Sequence, residues 1–191
     1  MTSPGSSHRR HILLVACGNE YASKFDTLTL CFLDWAEVKA VATDNALQFL
    51  DKSTFPSSVD ILTTEDDWFQ WVMLGDDILH LELCKWADAV VIAPSSANTL
   101  GKIAKGLCDN LLTSVVRAWD YNKPLFVLPS MSISQWNNGF TQSHLDTLQR
   151  LRVKVIPPIH DLTDCTSAAL NEPSAISDFV KNFLENQAPD A

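Results

Sequence analysis

Ile12-Leu13-Leu14-Val15-Ala16-Cys17 is apolar at every position and is closed by Gly18. A strand with one face in water alternates polar and apolar side chains. An unbroken apolar run of this length has no face to give to solvent, so it belongs in a parallel sheet covered by helices on both sides. Ala89-Val90-Val91-Ile92-Ala93 repeats the signal and ends at Pro94, and Leu125-Phe126-Val127-Leu128 repeats it again between Pro124 and Pro129. Weaker strand patterns run over 37–43, 59–64 and 153–156.

The segments between these runs carry helical period. Phe25, Leu28, Phe32 and Trp35 recur at three- and four-residue spacing, as do Leu145, Leu148 and Leu151 and the apolar residues of 176–184. Leu100, Ile103, Leu107, Leu111 and Val115 suggest one long helix, although Gly101 and Gly106 each cost about 1 kcal/mol relative to Ala and point to close packing or a break near Gly106. Strands alternating with helices predict right-handed βαβ units, that is, an α/β fold with a doubly wound parallel sheet. With 191 residues, 46% of them hydrophobic, the chain is long enough for one well-buried core and short for two. The domain is expected over 11–186, with a disordered leader over 1–10 and a disordered tail over 187–191. The segments 51–56 and 67–86 declare no clear secondary structure.

A net charge of -9 and scattered Lys and Arg residues give a phosphate backbone nothing to bind against, which argues against nucleic acid. The five cysteines are odd in number and widely spaced, without a Cys-x-x-Cys pair, so neither a disulfide framework nor a zinc site is expected. The apolar stretch after the basic N-terminus is too short for a signal core or a membrane span, and the chain reads as cytoplasmic.

Ligands of doubly wound sheets bind beyond the carboxyl ends of the strands. Four loops qualify here: Gly18-Asn19-Glu20, Thr43-Asp44-Asn45, Pro94 to Thr99, and Pro129 to Trp136. The third is crowded with small hydroxyl and amide groups, which suits a planar, polar-edged ligand. Asn98 with Thr99 also reads as a helix N-cap. His80, among apolar neighbours, reads either as a histidine satisfied by a backbone carbonyl or as an acid-base group. Cys165 lies in a polar segment and reads as an accessible or an incidental thiol. Met131 and Trp136 are also consistent with plain packing.

Three blocks carry a resemblance: His80-Leu-Glu-Leu-Cys-Lys-Trp-Ala-Asp88, then Ala93-Pro-Ser-Ser-Ala-Asn-Thr-Leu-Gly-Lys-Ile-Ala104, then Gly106-Leu-Cys-Asp-Asn-Leu-Leu-Thr113 with Arg117-Ala-Trp-Asp120. They resemble the homo-oligomeric flavin-containing cysteine decarboxylases, in particular the phosphopantothenoylcysteine decarboxylase branch with its plant halotolerance-type members. The resemblance implies a flavodoxin-like, Rossmann-type domain assembled as a trimer, with FMN between subunits and a small cysteinyl thiol as substrate. It further implies decarboxylation of 4'-phosphopantothenoylcysteine in coenzyme A synthesis, or of a related cysteinyl thiol, without a metal. Residue by residue, it implies His80 and Cys165 as catalytic groups. It implies Gly18, Asn19, Thr43, Ser96, Ala97, Asn98, Thr99 and Met131 as FMN contacts and Ser132 as a substrate contact.

Three segments depart from that family's pattern. Gly18-Asn19-Glu20-Tyr21 replaces Gly-Ser-Val-Ala, Pro129-Ser130-Met131-Ser132 replaces Pro-Ala-Met-Asn, and the stretch after Cys165 lacks the family's glycines. These departures favour a second class of function implied by the same resemblance. In it, the chain is a non-catalytic subunit of a mixed trimer or a regulator of a protein phosphatase.

Overall fold

The computed structural model describes residues 9–51, 53–70, 77–160, 167–169 and 172–187. Six strands form one parallel sheet in the order β3-β2-β1-β4-β5-β7. These are β1 (Arg10–Ala16), β2 (Ala36–Ala42), β3 (Ile61–Leu62), β4 (Ala89–Ser95), β5 (Leu125–Pro129) and β7 (Lys154–Val155). The continuous apolar runs occupy its centre, and Ile12, Leu13, Leu14, Val90, Val91 and Ile92 have no exposed surface.

Two layers of helix cover the sheet, which is why these strands carry no polar face. On one side α1 (Phe25–Leu33) and α8 (Pro173–Asn186) pack around Phe25, Phe32, Ile176 and Val180. The Trp35 indole N–H ties them together by donating to Ser177 Oγ at 2.8 Å, and the Ser177 hydroxyl donates to the Cys31 carbonyl at 3.0 Å. On the other side lie α3 (Leu79–Trp86), α4 (Ala97–Lys105), α5 (Leu111–Ala118) and α7 (Gly139–Arg150), whose apolar stripes meet around Leu83, Leu100, Leu112, Val115 and Leu148. Burying each such side chain stabilises the fold by about 1.5–3 kcal/mol before conformational entropy is counted.

The chain differs from its sequence pattern at identifiable points. The long helix expected through 115 is two helices. Gly106, at φ 67°, adopts the left-handed conformation that ends α4, and its N–H donates to the Lys102 and Ile103 carbonyls. Asn110 then caps α5 in a reciprocal box with Thr113. Pro94 does not stop β4. It sits where the β4–β5 register shifts, and its carbonyl accepts the Cys17 N–H at 3.1 Å, so the strand runs one residue further. The third strand is only two residues long because α2 (Thr64–Gln70) begins at Thr64.

A second sheet, antiparallel and unforeseen, joins β6 (Met131–Ser132), β9 (Ser167–Ala169) and β8 (Ile159–His160). The short helix α6 (Ile133–Trp136) follows β6 directly. At the N-terminus β1 already includes Arg10, inside the segment expected as leader, whereas 1–8 and 188–191 lie outside the described residues. No helix among the described residues is long and apolar enough to cross a membrane.

Candidate functional site

β1 has β2 on one side and β4 on the other, so the chain reverses its winding there and the loops beyond β1 and β4 diverge. A cavity of about 620 Å³ opens at that point, beyond the carboxyl ends of β1, β2, β4 and β5. All four loops singled out from the sequence line it.

Gly18 and Asn19 contribute from the first loop and Thr43 from the second. Gly18 has to be glycine for reasons of space: a Cβ there would lie 2.4 Å from the Asn45 Cβ and 3.1 Å from its carbonyl carbon. Asn19 caps the 3-10 turn Glu20–Lys24 by accepting the Tyr21 N–H at 2.9 Å. It also bridges to the loop after β5: its amide donates to the Ser130 carbonyl at 2.9 Å, and the Ser130 hydroxyl donates back to its Oδ1 at 3.2 Å. Most of the Asn19 side chain is therefore committed within the protein.

Ser96, Ala97, Asn98 and Thr99 line the opposite wall. The cap of α4 is Ser96 and not Asn98: Ser96 Oγ accepts the Thr99 N–H at 3.2 Å, because Ser96 is the extended residue just before the helix. The Asn98 amide has no partner among the described residues, and the Ala97 and Asn98 N–H groups belong to the first turn, which lacks intrahelical acceptors. Met131 is buried at the cavity's inner edge. Beneath the Ser96–Thr99 loop, burial pushes the Cys17 thiol up to about 11, only partly offset by hydrogen bonds from Thr99 and Ser96 and by Lys102, so this cysteine is inert packing.

Ser132 also lines the cavity but closes a capping box on α6. Its Oγ accepts the Gln135 N–H at 3.3 Å, and its hydroxyl lies 3.2 Å from Gln135 Oε1 and 3.0 Å from Ser134 Oγ. Three lining groups, Lys102, Asp109 and Asn110, lie outside the four loops singled out from the sequence. Lys102 stands one turn after Asn98 on the same face of α4, a spacing that marks it out. Its ammonium donates to Asp109 at 2.6 Å and, chiefly through that hydrogen bond, holds the Asp109 carboxyl below the usual carboxylate range. Asn110 reaches the cavity only because the chain breaks at Gly106. Gln135, within the fourth loop, lines the cavity from α6 directly after β6.

His80 is not in this cavity. It sits on α3, paired with Asp67 of α2, with side chains 25% and 14% exposed, respectively. Both Asp67 carboxylate oxygens lie 3.1 Å from Nδ1 and Oδ1 also accepts the His80 backbone N–H at 3.2 Å. A carboxylate accepts, so this pairing puts the ring proton on Nδ1, and Nε2 has no partner among the described residues. Trp68 and Phe69 on α2 and Leu81 on α3 are 68%, 85% and 38% exposed around the pair. Cys165 lies outside the described residues. Among the described residues no group of three or more His, Cys, Asp or Glu could hold a metal ion.

The family model described as Flavoprotein matches residues 1–185. The chain is 53% identical over 180 residues to a phosphopantothenoylcysteine decarboxylase of Arabidopsis thaliana, covering 93% of this chain and 86% of that one. Among solved structures, the FMN binding protein AtHal3 superposes with a TM-score of 0.91 at 52% identity, covering 95% of this chain and all of the other. A cysteine-to-serine mutant of PPC decarboxylase, complexed with pantothenoylaminoethenethiol, superposes with a TM-score of 0.89 at 51% identity, covering 93% and 100%.

Proposed function

The chain belongs to the Flavoprotein family, and on that premise we propose that it is an FMN-dependent decarboxylase, acting on 4'-phosphopantothenoylcysteine in coenzyme A biosynthesis. The observation that carries the reading is the cavity itself: it lies at the winding reversal of the sheet and is large and polar, with small-residue walls at Gly18, Ser96 and Ala97.

The cavity's residues fit FMN. Thr43, Asn45 and Asn98 offer side-chain donors without partners among the described residues, and the Ala97 and Asn98 N–H groups stand at the positive end of α4. Met131 and Ala97 supply apolar contact for a ring. Bound there, FMN would supply a two-electron acceptor and donor for the thiol end of the substrate. Over the whole reaction the bond to the carboxyl carbon breaks, its electron pair stays with the substrate, and a proton takes the place of CO2. The protein's tasks are to orient the cysteinyl end, exclude water and place protons.

His80 is the proposed proton-handling residue, held by Asp67 with Nε2 free to work. Because it stands away from the cavity of its own chain, it serves the cavity of another copy, in a trimer whose contact surface includes the outward Trp68, Phe69 and Leu81. Cys165 is the proposed donor of the final proton. The domain is read over 11–186, with Arg10 joining its first strand, and the protein acts in the cytoplasm.

Visible absorption of the purified protein tests this reading, followed by release and identification of the chromophore and a CO2-release assay. A yellow protein with one FMN per chain that decarboxylates phosphopantothenoylcysteine is the expected result. A colourless protein that takes up no added FMN overturns it. That outcome would favour the binding role, which the committed Asn19 amide and the acidic Glu20 beside it otherwise support.

A further inference from the structure

Gln135 differs from the other polar groups of the site in how it is held. Its Oε1 is fixed by the Ser132 backbone N–H at 3.3 Å and by the Ser132 hydroxyl at 3.2 Å. The amide nitrogen at the other end of the same group has no partner among the described residues. The carboxamide is thus anchored by its acceptor and presents two N–H donors, already oriented, without a competing bond.

These donors stand at a junction. A second cavity of about 500 Å³, lined by Ser134, Asn138, Phe140 and His144, adjoins the first, and Ala97, Asn98 and Gln135 line both. A ligand reaching from one cavity to the other crosses the boundary that Ala97, Asn98 and Gln135 share.

An anionic ligand group has few other places to be held. Three carboxylates, Glu20, Asp44 and Asp109, line the inner cavity against one ammonium, Lys102, which is already bonded to Asp109. The Ser132 hydroxyl has one proton to donate, and its neighbours Gln135 Oε1 and Ser134 Oγ compete for it within the capping box. With the Thr43, Asn45, Ala97 and Asn98 donors assigned to FMN, what remains for an acceptor-only group is a pair of neutral N–H donors, and Gln135 supplies them.

We propose that Gln135 is the specificity-determining contact for the substrate's carboxylate, its side-chain N–H groups binding the carboxylate while Ser132 serves to position the Gln135 amide. The inference rests on the decarboxylase reading and names the residue that recognises the group to be removed. Nothing is transferred in this contact: it selects for a carboxylate beside the thiol arm.

Gln135→Glu is the discriminating variant, because its carboxylate still accepts from the Ser132 N–H and hydroxyl while both outward donors are lost. Two ligands are titrated into the FMN-loaded protein by calorimetry. One is 4'-phosphopantothenoylserine, which keeps the carboxylate and lacks the thiol; the other is 4'-phosphopantetheine, which lacks the carboxylate. Gln135→Glu is expected to weaken the first at least about tenfold and the second less than about twofold. Ser132→Ala should change the ratio of the two affinities by less than about threefold. Unchanged flavin absorption shows that each variant keeps its site. An unchanged ratio in Gln135→Glu, or a ratio lost in Ser132→Ala alone, overturns the inference while leaving the decarboxylase reading intact. A wild-type protein that binds neither ligand overturns both.

Discussion

The Asp67 carboxylate holds His80 by backbone and ring at once, accepting its N–H at 3.2 Å and lying 3.1 Å from Nδ1. Such a grip fixes both the tautomer and the direction of the imidazole, and it does so more than a loop's length away from the cavity in sequence. If another copy supplies the cavity, two defective chains can complement each other. Co-expressed His80→Asn and Asn98→Ala chains should regain about a quarter of wild-type turnover, the share of sites that draw both good halves under random mixing. Each variant alone should stay well below that. Turnover of the purified mixture per total chain is the measurement, and no gain over the better single variant would show that each chain works alone.

Gly18→Ala should damage the site through sterics alone. The added methyl would meet Asn45 at 2.4 Å, and the Asn45 backbone lies within 3.1–3.3 Å behind it, so the two loops must part. A stability loss of about 1–3 kcal/mol is expected, with FMN binding weakened about tenfold or more. Urea unfolding and flavin titration measure the two effects separately.

Ser96→Ala and Asn98→Ala should separate capping from binding. Removing the Ser96 hydroxyl leaves the Thr99 N–H without its acceptor and should cost about 1 kcal/mol in urea unfolding. Removing the Asn98 amide takes away no bond among the described residues, so stability should stay within about 0.5 kcal/mol while FMN affinity falls.

The Cys17 thiol makes the alkaline limb of stability testable. Its value in the fold is about 11 against an ordinary 9.0, raised chiefly by burial, so its contribution is complete below pH 9 and is lost as pH rises through about 11. Over that interval wild type should lose on the order of 2 kcal/mol more than Cys17→Ala, whose curve lacks this titration. Urea midpoints at several pH values measure the difference in slope. At pH 8 only about one part in a thousand of Cys17 is thiolate, so iodoacetamide should spare it and modify the exposed Cys108.

The sheet's centre was legible because the runs 12–17, 89–93 and 125–128 within and beside β1, β4 and β5 are apolar at every position, a pattern with one structural solution. The ends of elements were not. Ser96 and Asn98 are both good capping residues, and only the extended backbone at Ser96 decides between them. Met131–Ser132 and Ile159–His160 form strands of two residues each, too short to show any period, and the first pairs with a segment far along the chain, Met131 opposite Ala168. The same holds for the site. Its loops could be named because strand ends locate them, and Lys102 could have been found by stepping one turn from Asn98. Asn110 could not, since its approach depends on the left-handed turn at Gly106. The position of His80 was hidden too, because nothing in Ile78-Leu-His-Leu-Glu tells whether the face it occupies looks toward its own cavity or away.

The bridge between Asn19 and Ser130 sets how the pocket receives a guest. It fastens the β1 loop to the β5 loop through two hydrogen bonds made entirely within the chain. Those loops lose their freedom when the protein folds, so a visitor meets a mouth whose width is already decided. Entry should therefore be quick and should draw little on the ligand's own binding energy for ordering protein. The same rigidity makes the mouth a sieve, admitting molecules by their thickness before any chemical group inside has been consulted.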